Sequence, residues 1–174
     1  MNTEQNWFAL LTKSNFENVV NTRIQNKDIE TFLPKIKTKS RQKNRRILVE
    51  RPLFPGYLFV KSLSDPQAYL NILKTQGAVR LLGTKDNPVP IPLSQIESLK
   101  ILTQSDNKII TGDSNKLKKG TPVIITNGPL VGVKGIFLKY KGKNRLIVDI
   151  DSLKQFAGIE VIKENVEIAP DIML

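Results

Sequence analysis

The chain has 174 residues, a net charge of +11 and no cysteine or histidine, a length typical of one or two small domains. These absences exclude disulfides, thiol nucleophiles, imidazole acid–base chemistry and most transition-metal sites. Apolar residues make up 40% of the chain, enough for folded cores. No apolar run approaches the length of about 18 residues that spans a membrane, and the N-terminus does not have the pattern of a signal peptide. We expect a cytoplasmic, monomeric protein that is not an enzyme and uses no metal or cofactor.

The positive charge is concentrated in two stretches. Residues 34–51 hold eight basic residues and one acid, a net of +7. Residues 105–145 also have a net charge of +7, whereas residues 146–174 have a net charge of −4. A basic balance of this kind favours anionic partners, either nucleic acid or an anionic membrane surface. A need for solubility alone is the plainer explanation of a high pI. The local arrangement of the charges therefore has to distinguish between these explanations.

The chain begins with an apolar segment, Asn6–Thr12, which predicts a buried strand. The sequence Ser14-Asn15-Phe16-Glu17 matches a capping box, in which a hydroxyl and a carboxylate satisfy opposing N–H groups at a helix start. Apolar residues then recur at helical spacing up to Ile24. The next segment, Ile29–Lys37, alternates as a strand does, and Pro34 favours a position near a sheet edge.

The basic arm, Pro34–Arg51, comes next in the chain. Its cations occupy every second position at Lys35, Lys37, Lys39, Arg41, Lys43 and Arg45, and Arg46 follows directly. In an extended chain such residues point to one side at a spacing of about 6.6 Å, which suits contact with a phosphate backbone. The pattern contains nothing that specifies bases. The alternative is a solvated charged loop, as many charge runs are.

An apolar segment follows the arm. Because both faces of Tyr57–Val60 are apolar, both should be covered. The face that carries Tyr57 and Phe59 is either part of the core or a docking surface for a partner. The sequence does not distinguish between these two possibilities.

The rest of the N-terminal half alternates helices and strands. Asp65-Pro66 predicts a helix start, and Gly77–Leu82 predicts a short strand. The proline-rich segment 87–92 cannot be helical. Ser94-Gln95-Ile96-Glu97 matches another capping box, ahead of a helix that turns Ile96, Leu99 and Leu102 inward.

The C-terminal part has a different pattern of predicted elements, since it contains strands without helices. After a polar segment, five short β-rich stretches follow at regular spacing with turns between them, at Val123–Thr126, Ile136–Tyr140, Leu146–Ile150, Ile159–Ile162 and Val166–Ala169. This pattern predicts a small barrel. The predicted fold class is α+β: an α/β sandwich with an antiparallel sheet over residues 1–104, a linker over 105–118, and a five-stranded β-barrel over 119–174.

Two candidate sites in this part have plainer explanations. The glycines between residues 120 and 135 lack the spacing of a phosphate-binding loop, and no helix follows them. Asp149 and Asp151 have no basic or metal-ligating partner in view, so we expect them on the outer face of a strand.

Several of these segments together resemble the NusG family. The resemblance rests on Trp7-Phe8-Ala9-Leu10, Phe54-Pro55-Gly56-Tyr57, Gly77-Ala78-Val79 and the glycine-containing segment 120–136, which is similar to a KOW motif. It covers nearly the whole chain in the family's order. The basic segment that runs into Pro52-Leu53-Phe54-Pro55 is most similar to the specialised UpxY-like and RfaH-like paralogs. The resemblance implies an NGN-type domain followed by an SH3-like KOW barrel.

It also implies a function in transcription elongation and antitermination. The NGN domain of this family docks on the clamp helices of RNA polymerase, and Phe54, Tyr57 and Phe59 match its docking strand. Lys13 matches a basic residue that faces DNA of the transcription bubble, Arg23 is a weaker candidate, and the arm matches the hairpin near DNA. In the KOW barrel, Leu130, Val133 and Leu153 match the positions that contact ribosomal protein S10 or the termination factor Rho.

The departures from the family pattern favour a specialised factor. Ser152-Leu153-Lys154-Gln155 stands where general members carry a sequence similar to I-F-G-R, which speaks against contact with Rho. The hypothesis is therefore a factor that reduces pausing or termination in specific operons. Two alternatives stay open: a general NusG-type factor that couples polymerase to the ribosome or Rho, and a ribosome- or RNA-associated KOW protein.

Overall fold

A computed structural model of the protein describes residues 4–40, 47–84 and 87–169. Its contacts divide the chain into two units, Met1–Pro88 and Val89–Leu174. Within the described ranges, no helix is both long and apolar enough to cross a membrane.

The N-terminal unit combines an antiparallel sheet with two helices and a separate two-stranded ribbon. Its elements are β1 (Gln5–Thr12), α1 (Glu17–Gln25), β2 (Thr31–Phe32), β3 (Lys35–Lys39), β4 (Leu48–Pro52), β5 (Tyr57–Leu63), α2 (Pro66–Leu73) and β6 (Ala78–Leu81). The strands of the sheet run in the order β2-β5-β1-β6, and β3 pairs with β4 alone.

One face of this sheet forms a core with the two helices. The register places Phe8 opposite Val60 and Leu10 opposite Leu58. These four side chains cluster with buried residues of both helices, Val20, Ile24 and Ile72. The predicted start of α2 is confirmed, since the Asp65 carboxylate accepts a hydrogen bond from the Ala68 N–H at 3.0 Å. Asp65 thereby satisfies one of the free N–H groups of the first turn.

Three local predictions within residues 1–104 are wrong. Neither α1 nor α3 (Leu93–Gln104) has a side-chain cap. Helix α3 starts directly after Pro92, whose fixed φ suits the position before a helix, so Ser94 lies inside the first turn. The single strand expected over Ile29–Lys37 is divided at Leu33-Pro34, where β2 pairs with β5 and β3 pairs with β4.

The C-terminal unit combines an antiparallel sheet with helix α3, and its first short strand lies outside that sheet. Its elements are β7 (Pro90–Ile91), α3, β8 (Ile110–Asp113), β9 (Thr121–Ile125), β10 (Lys134–Tyr140), β11 (Lys143–Ile150), β12 (Gln155–Glu160) and β13 (Val166–Ile168). The sheet order is β13-β9-β10-β11-β12-β8. Strands form near all five places predicted after residue 119, but the fourth covers Gln155–Glu160 instead of Ile159–Ile162, and β8 lies in the segment that was expected to be a linker. Its residues pair with β12, from Ile110 opposite Gly158 to Asp113 opposite Gln155.

The order of β9 to β12 fixes two ends of this sheet. Because consecutive strands are antiparallel, the β9–β10 and β11–β12 connections lie at one end. The tight β10–β11 turn and the start of β8 lie at the other end. Lys141 and Gly142 form that turn with φ values of 50° and 79°, as a type I′ hairpin turn requires. Functional residues can therefore be assigned to one end or the other.

Candidate nucleic-acid interface

The two ends of the basic arm pair as the strands of a β-hairpin. Strand β3 pairs with β4 from Lys35 opposite Pro52 to Lys39 opposite Leu48. Lys35, Lys37 and Lys39 therefore lie on one face of β3, as the alternation predicted, and we call this surface the lysine face. Lys37 and Lys39 are exposed. The other predicted contacts of the arm, Arg41, Lys43, Arg45 and Arg46, lie outside the described residues.

The root of the hairpin is fixed by buried residues and by a tight turn. The Leu53 N–H donates to the Pro34 carbonyl at 2.8 Å, and both residues are buried. The Tyr57 N–H donates to the Phe54 carbonyl at 3.1 Å, and Gly56 between them has a φ of 85°. Proline at the second position and a positive-φ glycine at the third are typical of a type II turn. The motif Phe54-Pro55-Gly56-Tyr57 therefore sets the angle at which β4 passes into β5.

Glu17 holds this turn, a role that the sequence did not reveal. The Gly56 N–H donates to Glu17 Oε1 at 2.6 Å, and Glu17 is only 5% exposed. On the other side, the Gly56 carbonyl accepts from the Thr12 N–H at 2.8 Å. The start of α1 and the end of β1 thus both clamp Gly56. The predicted capping box assigned this carboxylate to its own helix, whereas the structure gives it to a turn 39 residues away.

Lys13 and Arg23, the two predicted DNA contacts outside the arm, both form hydrogen bonds to the connection between α2 and β6. The Lys13 N–H donates to the Gly77 carbonyl at 2.8 Å, and its side chain is exposed. Arg23 Nη1 donates to the Gln76 carbonyl at 2.9 Å, so part of its guanidinium group has a structural partner. The structure brings these two residues to one place on the sheet unit, on elements other than the hairpin.

The three aromatic residues assigned to docking differ in exposure. Phe54 and Phe59 are 1% and 0% exposed, whereas Tyr57 is half-buried. The Phe59 ring packs edge-on against Phe54 at 6.3 Å and stacks with Phe32 at 6.0 Å. In this conformation Tyr57 alone of the three has a partly exposed side chain, and Phe54 and Phe59 belong to the core.

In the C-terminal unit, the three residues assigned to a partner lie at one end of the sheet. Leu130 and Val133 belong to the β9–β10 connection and Leu153 to the β11–β12 connection. All three are buried, with exposures of 7%, 0% and 6%. At the same end, Ser98 of α3 accepts a hydrogen bond from the Lys134 N–H at 2.9 Å. The structure therefore brings the three together as packing residues of two neighbouring loops.

Asp149 and Asp151 both have partners, contrary to the sequence-based expectation. The Ser114 hydroxyl donates to Asp149 Oδ1. Asp151 forms an ion pair with Lys154 at 2.6 Å, and this hydrogen bond raises the pKa of Lys154. Among the described residues, no group of three or more potential acidic ligands could hold a metal ion.

Comparison with known proteins places these features in a family. A family model described as "Transcription termination factor nusG" matches residues 5–100. The transcription termination/antitermination protein NusG of Helicobacter pylori strain J99 is 25% identical over 172 residues, covering 92% of this chain and 97% of that protein. Its counterpart in Streptococcus pyogenes serotype M1 is 26% identical over 169 residues, covering 91% and 94%.

The likeness extends to a solved structure. The structure titled "Domain interaction in Thermotoga maritima NusG" matches with a TM-score of 0.53 and 20% identity, covering 95% of this chain and 97% of that one. This match concerns the fold, while the family model covers more than half of the sequence. The chain therefore belongs to the NusG family of transcription termination and antitermination factors.

Proposed function

We propose that the protein is a specialised antitermination factor that binds RNA polymerase, contacts DNA of the transcription bubble through its basic hairpin, and reduces pausing in specific operons. The observation that carries this proposal is the lysine face on a hairpin whose root is fixed. A flexible charged loop would lose conformational entropy on binding, whereas the paired strands β3 and β4 hold Lys35, Lys37 and Lys39 in register before DNA arrives. A pre-organised row of cations favours contact with the phosphate backbone of nucleic acid without recognition of individual bases.

Polymerase docking is assigned to strand β5 and the turn before it, with the clamp helices as the partner. Tyr57 is half-buried at the start of β5, next to the Gly56 turn that Glu17 clamps. A partner bound at Tyr57 would lie beside the hairpin root, so docking would fix the direction in which the lysine face points. In this proposal residues 1–104 bind polymerase, residues 105–118 lead into the C-terminal sheet and include its strand β8, and the protein acts as a monomer.

Residues 119–174 are assigned to a KOW barrel with a ribosomal partner. Leu130, Val133 and Leu153 shape the two loops at one end of the sheet, and Val131 between the first two is 52% exposed. The Ser152–Gln155 loop supports the absence of Rho contact. Leu153 is buried in it, and Lys154 has a φ of 52° and is paired to Asp151, so the loop presents no exposed aromatic residue.

A general NusG-type role is the second candidate. It is favoured by the relatives, which match along almost their entire length and are themselves named termination/antitermination proteins. A general factor would act on every template, whereas a specialised one would act on templates from its own operons. A ribosome- or RNA-associated protein, the third alternative, would not bind polymerase at all.

Single-round transcription with purified RNA polymerase separates these roles. The templates are a leader from the protein's own operon and an unrelated leader, each with and without Rho. We expect shorter pauses on the first template alone. Equal action on both templates, or stimulation of Rho, would instead establish the general role, and no effect on either would refute both.

Variants of the protein distinguish polymerase docking from DNA contact in the same assay. Tyr57→Ala should abolish co-purification with polymerase. The triple variant Lys35→Gln, Lys37→Gln, Lys39→Gln should retain polymerase but lose most of the effect on pausing. The charge-matched control is Lys116→Gln, Lys118→Gln, Lys119→Gln, which removes three exposed lysines from the other unit. If the two triple variants behave alike, the lysine face has no specific role.

A further inference from the structure

A cleft at the β10–β11 end of the C-terminal sheet has features of a second anion site. It has a volume of about 400 Å³ and is lined by Asn107, Lys108, Ile110, Lys143, Arg145 and Glu160. We call it the β11 cleft. It lies at the end of the sheet opposite the loops of Leu130 and Leu153, and neither the family resemblance nor the proposed function assigns it a role.

Strand register explains how the cations of the β11 cleft come together. Arg145 is opposite Glu160 on β12 and opposite Leu138 on β10, and Lys143 is opposite Tyr140. Directly paired residues in adjacent strands point to the same face. Lys143 and Arg145 therefore lie on one face at a spacing of about 6.6 Å, beside a half-buried tyrosine.

The acid in the β11 cleft forms an ion pair, whereas one nitrogen of its arginine has no hydrogen-bond partner among the described residues. Glu160 accepts from Lys143 at 2.6 Å, and this hydrogen bond, with a smaller contribution from Arg145, lowers the pKa of Glu160. Arg145 Nε is buried and has no hydrogen-bond partner within the described part of the chain. A guanidinium group presents a rigid fork of donors that fits the oxygens of a phosphate. Arg145 itself is half-buried and lines the β11 cleft, so an anion in the cleft would lie next to its guanidinium group.

The surroundings of Arg145 favour an extended polyanion over a small one. The β11 cleft holds three cations and one acid, and Lys141 continues the positive surface onto the turn, with its Nζ 5.4 Å from the centre of the Tyr140 ring. The Tyr140 ring packs edge-on against Phe156 at 5.6 Å, which holds it in place. Cations that follow a groove beside a fixed aromatic ring are typical of surfaces that bind single-stranded nucleic acid.

We propose that the β11 cleft is a second nucleic-acid site, in which Arg145 binds a backbone phosphate of single-stranded RNA or DNA and Lys108, Lys141 and Lys143 extend the contact. The site belongs to the C-terminal unit and is independent of the lysine face. It therefore does not depend on the specialised role proposed above. A chain with both surfaces could hold two segments of nucleic acid, one with each unit.

The test is binding of the full-length protein to a fluorescein-labelled single-stranded 20-mer, prepared once as RNA and once as DNA of the same sequence. Fluorescence anisotropy is followed over a range of KCl concentrations. Arg145→Gln should weaken binding about ten- to hundredfold at low salt, since a hydrogen bond between charged groups is lost. The slope of log K against log salt should fall by about 0.7 for each lost phosphate contact. A larger loss with RNA would identify the transcript as the source of the phosphate, and a larger loss with DNA the single strand of the bubble.

Two further variants keep the test decisive if Arg145→Gln disturbs folding. Glu160→Gln removes the exposed acid from the β11 cleft and should tighten binding, a gain that misfolding cannot produce. Lys118→Gln with Lys119→Gln is the control for lost charge outside the cleft and should have less effect than Arg145→Gln. The proposal is overturned if Arg145→Gln matches this control while Glu160→Gln changes nothing. It is also overturned if polyglutamate binding depends on Arg145 as strongly, because the site would then accept acidic protein.

Discussion

Replacement of Glu17 should loosen the hairpin root more than any other single change at an acid of the N-terminal unit. Its carboxylate accepts from the Gly56 N–H at 2.6 Å and is 5% exposed. Loss of a hydrogen bond to a charged group costs about 1.5–3 kcal/mol, and loss of an acid from the first turn of a helix costs about 0.3–1 kcal/mol. Glu17→Ala should therefore lower the free energy of unfolding by about 2–4 kcal/mol. Glu17→Gln keeps an acceptor and should cost about 1 kcal/mol.

The single tryptophan makes this measurement specific to the N-terminal unit. Trp7 is the only tryptophan in the sequence, lies in β1 and is 3% exposed, so its fluorescence reports unfolding of that sheet in urea. Glu4→Ala, at an exposed acid just before β1 in the same unit, is the matched control. If Glu17→Ala falls within about 0.5 kcal/mol of this control, the range usual for surface changes, the carboxylate does not hold the turn and the account of the hairpin root is wrong.

Three further predictions concern other parts of the fold. Gly56→Ala should cost about 1–2 kcal/mol in the same urea titration, because a φ of 85° is strained for any residue with a Cβ; an unchanged midpoint would argue against the turn. Gly135→Ala should unfold the C-terminal sheet at lower temperature by circular dichroism and leave the Trp7 transition in place, since the new Cβ would lie 2.3 Å from the Ile147 carbonyl oxygen. Lys143 lowers the pKa of Glu160, so this pair stabilises the fold above the ordinary glutamate pKa and the contribution is lost as the pH falls through the lowered pKa. In an NMR titration Lys143→Gln should raise that pKa, and an unmoved pKa would show that the ion pair does not form in solution.

Local patterns predicted most strands and the core helices correctly. Asp65-Pro66 starts α2 because cap and proline act within one turn of the chain. Ile96, Leu99 and Leu102 are fully buried because a helical period fixes which side chains share a face. The basic alternation likewise placed Lys35, Lys37 and Lys39 on one face, since a strand has a period of two.

The wrong predictions occurred where contact with a residue distant in the sequence determines the local structure. Ser14-Asn15-Phe16-Glu17 has the spacing of a capping box, but a hydrogen bond to Gly56 captures the carboxylate. Strand β8 was expected to be part of a linker because its sequence is polar, and only the free edge of β12 makes it a strand. The β11 cleft depends on the register between β10, β11 and β12, which no local pattern specifies. For the same reason the sequence could not show that Phe54 and Phe59 are buried while Tyr57 is half-exposed.

The central claim is that the lysine face contacts DNA while the protein is bound to RNA polymerase. It is tested most directly by placing a photo-cross-linking amino acid at Lys37 in a reconstituted elongation complex, with Gln67, exposed on α2, as the control position. We expect a cross-link from position 37 to DNA of the transcription bubble and none from position 67. Cross-links from position 37 to protein alone, in a complex that retains the factor, would contradict it.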